Sequence, residues 1–209
     1  MGQQHLKLIV TCLAFFFIAL ETRAEAYKIA SPTRRYCRFE ETMSNYPEVN
    51  DKKIKSPIDY IMVSKKNQKM FLVANDKVVR IFPVVFGLNA YGHKQFSGDF
   101  KTPEGLYFIE DKNPGSKFHK SLHISYPNIN DDRFARSQGY SAGGDIMLHG
   151  LPDKKINETT SDMAKRVAIE QAQFFGINWT RGCIAMENEV IDEVYALISR
   201  QTLIEICPQ

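Results

Sequence analysis

The sequence predicts a mostly β domain flanked by two helices, and three observations predict it. Runs rich in β-branched and aromatic residues recur from Ile58 onward between polar turn residues, two late segments carry apolar residues at helical spacing, and the last run, Thr202 to Cys207, returns to strand character. In order, Ile58 to Ser64, Lys69 to Ala74 and Lys77 to Phe86 are separated by Lys65-Lys66-Asn67-Gln68 and Asn75-Asp76, which reads as a β-meander with solvated turn lysines. Leu106 to Glu110, Ser121 to Tyr126 and Asp145 to His149 are shorter strands set off by Gly, Pro and Asn, with one helical turn expected over Asp131 to Ser137.

The first helix is expected to start at a Ser161 cap, to bury a face made of Ala164, Val167, Ala168, Gln171 and Phe175, and to stop at Gly176. The second runs from about Glu187 to Ser199, with Val190, Ile191, Val194, Leu197 and Ile198 on one side and Glu187 and Glu189 near its positive end. No internal repeat or low-complexity tract breaks the pattern, so the predicted architecture is a single, mostly antiparallel β domain over residues 57–209.

The chain begins with Lys7 ahead of the apolar run Leu8 to Leu20, then Ala24-Glu25-Ala26, an A-x-A site. This reads as a secretory signal peptide over residues 1–26, cut after Ala26 or after the second choice, Ala24; the run is too short for a membrane span. Cys12 leaves with it, and Thr11 is a poor neighbour for a lipid-anchor cysteine. Residues 27–56 are polar and carry Pro32 and Pro47, so they read as an extended arm. Export to the periplasm is the expected destination.

A formal net charge of +3, with dispersed basic residues, leaves no nucleic-acid footprint, and no later apolar run reaches membrane-spanning length. The oligomeric state is not legible. After cleavage three cysteines remain, Cys37, Cys183 and Cys207. Cys37 and Cys207 lie near the two ends of the mature chain, and domain ends often meet in space, so a bridge between them is expected; the alternative leaves both buried and reduced.

Pairing those two leaves Cys183 free, and a thiol kept free outside the cytoplasm points to chemistry. An ordinary thiol is mostly protonated at neutral pH, so it needs a base, and His149 ends the apolar strand Ile146-Met147-Leu148, where a loop can aim it. Gly182 allows a close approach of the chain to a substrate, and N–H groups around Gly182 and Cys183 are candidate oxyanion donors. Arg181 cannot accept a proton; it reads either as a carboxylate-binding, thiol-acidifying group or as a solvated loop residue. Tyr126 and Asn128 read either as groove residues or as a strand-ending turn with Pro127. His119 and His123, four apart on an extended stretch, stand about 13 Å apart, too far to share a metal.

Four segments, Gly98-Asp99-Phe100-Lys101-Thr102-Pro103-Glu104-Gly105, Ile124-Ser125-Tyr126-Pro127-Asn128, His149-Gly150 and Thr180-Arg181-Gly182-Cys183, resemble in content and order the L,D-transpeptidase catalytic domain of bacterial cell-wall enzymes. The resemblance runs from about Ile58 to Cys207. It implies a β-sandwich or barrel and a cysteine acyltransferase that uses no metal or cofactor and acts on peptidoglycan stem tetrapeptides. It further implies Cys183 as nucleophile, His149 as base and the Gly150 carbonyl as acceptor for the other ring N–H. The chain departs from the common pattern at Arg181, where histidine is frequent, at Ala185, where a polar residue often stands, and in a long His149 to Cys183 interval. That interval holds the first predicted helix, expected to border or cover the cleft and restrict acceptors. The other readings left open are an L,D-carboxypeptidase or hydrolase using the same site, and a non-catalytic envelope-binding protein.

Overall fold

The computed structural model describes residues 37–39, 54, 57–154 and 159–209. The expected signal peptide, and all of the arm except Cys37–Phe39 and Ile54, lie outside the described residues. Eight strands and three helices follow a short 3-10 turn at Cys37–Phe39: β1 (Tyr60–Ser64), β2 (Lys69–Ala74), β3 (Lys77–Pro83), β4 (Gly105–Ser116), β5 (His119–Ile124), α1 (Ile129–Ser137), β6 (Met147–His149), α2 (Thr160–Phe174), β7 (Ile184–Ala185), α3 (Asn188–Leu197) and β8 (Leu203–Cys207).

The strands form one sheet in the order β3-β2-β1-β8-β4-β5-β6-β7. The pairs β1/β8 and β6/β7 are parallel and the others antiparallel. Beyond β3 the chain crosses to the opposite edge, where Val85 and Ala185 exchange both backbone hydrogen bonds, at 3.0 and 2.9 Å. The two edge strands are thereby linked and the sheet closes on itself, which satisfies edge groups that would otherwise be exposed.

Alternation explains the register. In β1, Ile61 and Val63 enter the main core with Leu72, Ile109, Leu148, Ile184 and Ile204, while Tyr60 and Met62 join Phe71, Val73 and Cys207 on the other face. All five residues of β1 are buried, so a one-residue slip would interchange two packed sets. A disulfide joins Cys37 to Cys207 with a Cα separation of 5.3 Å, tying the 3-10 turn to the second face. No helix among the described residues is long and apolar enough to cross a membrane.

Four local readings change. A third helix, α1, stands where a single turn was expected; Asn128 caps it, accepting from the N–H groups of Asn130 and Asp131, while Asp131 accepts from the Asn128 N–H. Helix α2 starts earlier than Ser161, on a capping box made by Thr159 and Asp162, and stops at Phe175 with Gly176 in the left-handed region (φ +67°). Its face is reversed: Ala164, Val167, Ala168, Gln171 and Phe175 are exposed, and Gln173 is its buried residue. Strand β4 runs on to Ser116 because Pro114 falls at an irregularity of the β4/β5 ladder, where no pairing N–H is required.

Lys65, expected on a solvated turn, is 2 % exposed. Its ammonium donates to Glu104 Oε1 at 2.7 Å and to the Gly92 carbonyl at 2.8 Å. The long stem passes inward from the end of β1, and the charge is met by the Thr102-Pro103-Glu104-Gly105 turn.

Candidate active site

A cleft of about 630 Å³ opens where β4, β5, β6 and the loop before β7 converge. His149 and Cys183 both line it, with Phe118 and Lys117 from the β4/β5 tip, Ile169 from α2, and Trp179. Strand pairing brings them together: β6 pairs with β5 through Ser121 and His149, and with β7 through Leu148 and Ile184, so Cys183 emerges just before the β7 register begins.

The loop carrying Cys183 is held by Thr180. Its hydroxyl donates to the Cys183 carbonyl at 2.8 Å and accepts from the Gly182 N–H at 3.0 Å. Gly182 has φ +131°, and a Cβ there would sit 2.6 Å from the Lys101 carbonyl; only glycine fits. The close approach is therefore to this chain's own Lys101. With the Gly182 N–H taken by Thr180, the Cys183 N–H is left without an acceptor among the described residues.

His149 is buried and its ring Nδ1 lies 2.6 Å from the Gly150 carbonyl. A carbonyl only accepts, so Nδ1 carries the proton and Nε2 keeps its lone pair. Phe118 packs on the ring at 4.6 Å between centroids and Trp179 meets it edge-on at 5.6 Å. Burial drives the His149 pKa down to about 4, against the opposing pull of the Gly150 carbonyl. The imidazole is neutral at working pH.

Cys183 is half-buried and its thiol donates to the Asp145 carbonyl at 3.3 Å. Burial raises its pKa and the Asp145 carboxylate adds to that, while a hydrogen bond from the Met147 backbone and the Lys94 charge oppose it. Lys94, itself buried against Asp99 at 2.8 Å, is the cation that acts on the thiol, and its pull is the smallest of these influences and is outweighed by burial. At rest the pair is a neutral thiol beside a neutral imidazole.

Arg181 is exposed at the cleft rim, its guanidinium bonded to no described residue. Tyr126 and Asn128 are placed elsewhere. Tyr126 is 3 % exposed, stacks edge-on with Tyr107 and donates to the Ala142 carbonyl; Asn128 is spent capping α1. Neither is among the residues that line the cleft with His149 and Cys183. His119 and His123 each meet carboxylates of different elements, Asp192 for the first and Glu110 and Asp145 for the second.

Phe118 and Gln173 carried no signal in the sequence, since nothing local to a hairpin tip or a helix end shows that they will converge. Trp179 sat in the cysteine motif itself; an indole three residues before a small-residue loop was the available hint.

A closed, mostly β sheet with a thiol and an imidazole in one cleft defines a cysteine–histidine site on a β scaffold. The family model of the L,D-transpeptidase catalytic domain matches residues 58–206, and the chain belongs to that family. The Escherichia coli (strain K12) protein YafK, itself named only as a candidate L,D-transpeptidase, is 32% identical over 110 residues, covering 52% of this chain and 32% of its own length. The chain thus spans about a third of the length of that relative. Among solved structures, the helical cell shape determining protein Pgp2 of Campylobacter jejuni gives a TM-score of 0.47 at 19% identity over 85% of this chain and 57% of its own. An L,D-transpeptidase from Mycobacterium smegmatis gives 0.45 at 13% identity over 72% and 58%.

Proposed function

We propose that this chain is an exported cysteine acyltransferase, an L,D-transpeptidase acting on peptidoglycan stem tetrapeptides in the periplasm. The observation that carries the reading is the shared cleft of Cys183 and a His149 whose Nδ1 is tied to the Gly150 carbonyl, leaving Nε2 as a proton acceptor.

Cys183 Sγ attacks the carbonyl joining the L-centre of the diamino acid to the terminal D-Ala, while its proton passes to His149 Nε2. The developing oxyanion is met by the Cys183 N–H. Collapse breaks the C–N bond, the D-Ala amine takes the proton from His149, and a tripeptide thioester remains. An amine of a second stem then attacks and gives its proton to His149; a new amide forms as the C–S bond breaks, and the departing sulfur takes that proton from His149 Nε2, which restores the neutral thiol and imidazole. Because thiol and imidazole are both neutral at rest, the proton moves during attack. This is general-base catalysis without a stored thiolate–imidazolium pair.

The test is intact mass spectrometry of the mature protein with a disaccharide tetrapeptide, for wild type and Cys183→Ala. The expected result is a tripeptide adduct on wild type alone, with D-Ala released and cross-linked dimer formed. Free tripeptide in place of dimer makes the acceptor water and the enzyme a carboxypeptidase. No adduct and no D-Ala from a folded protein overturns the acyl-transfer reading and leaves a binding protein.

A further inference from the structure

Helix α2 is attached to the domain in an unusual way. Its apolar stripe faces solvent, with Val167 and Met163 at 40 % and 48 % exposure, and its buried residue is a glutamine, Gln173. That side chain makes a specific contact: Gln173 Oε1 accepts from the Trp179 indole N–H at 3.1 Å. The next residues are pinned to the sheet, since Gln68 Nε2 donates to the Gly176 carbonyl and to Asn178 Oδ1, and Asn178 Oδ1 accepts from the Phe86 N–H. Gln173 therefore stands on a braced segment.

The indole it holds is one of two rings that pack on His149. The single hydrogen bond at Nδ1 sets one end of the imidazole and leaves its tilt to those neighbours. A tilt of the ring moves Nε2, at the far end, the most. Phe118 lies on a hairpin tip, and its ring centroid is 6.3 Å from that of Trp179. Each ring thus confines the other.

We propose that Gln173 is a positioning residue: by fixing the Trp179 indole it holds the His149 ring at the tilt from which Nε2 takes the Cys183 proton. The proposal rests on His149 being the base. It also gives α2 a role that its packing does not explain. Ile169, one turn before Gln173, lines the same cleft, so the helix that borders the cleft also braces the base.

The test uses the full chain with its disulfide intact and reads Cys183 alkylation by iodoacetamide against pH, which needs no wall substrate. Gln173→Leu is expected to slow alkylation at neutral pH about fivefold, where the base-assisted reaction of the neutral thiol carries the rate, and to leave the thiolate rate at high pH unchanged, with little change in melting temperature. Trp179→Phe, which keeps a ring but deletes the N–H, should do the same, and the double variant should be no slower than either single one. Gln173→Glu retains the acceptor oxygen and should recover most of the rate. His149→Gln sets the scale. If it slows alkylation while Gln173→Leu and Trp179→Phe match wild type, or if those two effects simply add, the positioning role is overturned and the base assignment stands. If His149→Gln itself alkylates like wild type, both fall. Should Gln173→Leu fail to fold, Trp179→Phe decides alone.

Discussion

Two buried nitrogen bases, Lys65 and His149, lie 2 % and 3 % exposed in the same domain and meet opposite fates. Burial pushes both downward, since removing a cation from water is costly whatever the residue. Lys65 has a carboxylate 2.7 Å away, and the Glu104 hydrogen bond and charge pull it back toward the charged form. His149 has only the Gly150 carbonyl, and among the described residues no carboxylate acts on it. The partner, not the depth, separates a charge that staples a turn from an imidazole left neutral with its Nε2 lone pair free of the proton.

Removing the lone pair gives the largest expected effect. His149→Gln retains size and polarity but not basicity, and kcat/KM on a tetrapeptide should fall about 10²–10⁴-fold. Melting at neutral pH should hold, because there the imidazole is uncharged in the folded and the unfolded chain alike. A fall in stability with activity intact would make His149 structural.

Removing the charge at the other site should do the reverse. Lys65→Met leaves the Glu104 carboxylate in a nearly dry turn, 10 % exposed in its side chain, and should cost about 3–5 kcal/mol in urea unfolding. Adding Glu104→Gln should return most of that loss, since both charges are then gone. No recovery in the double variant would mean that the Lys65 stem, by packing, matters more than the ion pair.

The comparison also predicts a pH signature. The folded His149 pKa, about 4, lies below the ordinary value of 6.5, so below the latter the unfolded chain binds a proton that the folded chain refuses. The stability this group contributes is complete above that ordinary value and is lost as pH falls toward about 4. The loss amounts to about 3 kcal/mol. Wild type should therefore lose that much more stability than His149→Gln between those limits, measured by denaturant melts. The acid limb of kcat/KM should likewise fall near pH 4 instead of near 6.5. Parallel curves for the two proteins would show that the imidazole is charged in the fold.

The same contrast explains what the sequence made legible. β-branched runs and their turns place strands well, because strand burial repeats every second residue, as in Ile61 and Val63 against Tyr60 and Met62. That Cys183 and His149 share one cleft was legible because a free thiol and an imidazole at a strand end are chemically conspicuous. Lys65 was not, since a lysine in a turn is solvated unless a distant Glu104 arrives to pair with it. Helix α2 misled for a physical reason: an apolar stripe predicts the buried face only if the rest of the fold covers it, and here Gln173 does the docking. Tyr126 and Asn128 stayed open between groove and turn, because a turn beside a motif looks alike whether it binds or only caps.

Arg181 gives the smallest expected effect and sharpens the contrast from the ligand's side. Unlike Lys65 it is exposed, and its charge is not one of those that act on the thiol, where Lys94 is the opposing cation. A guanidinium at the rim of a cleft is free to bind a stem-peptide carboxylate in a forked pair. Screening by water limits such a contact, so Arg181→Gln should raise KM about tenfold with kcat nearly unchanged. Arg181→Lys should recover only part of this, because an ammonium keeps the charge and loses the fork. The wild-type KM should rise with salt while that of the variant stays nearly flat, and the pH profile of Cys183 alkylation should be unmoved. A change in kcat or in that profile would place Arg181 beside the reacting sulfur and make it a partner of His149.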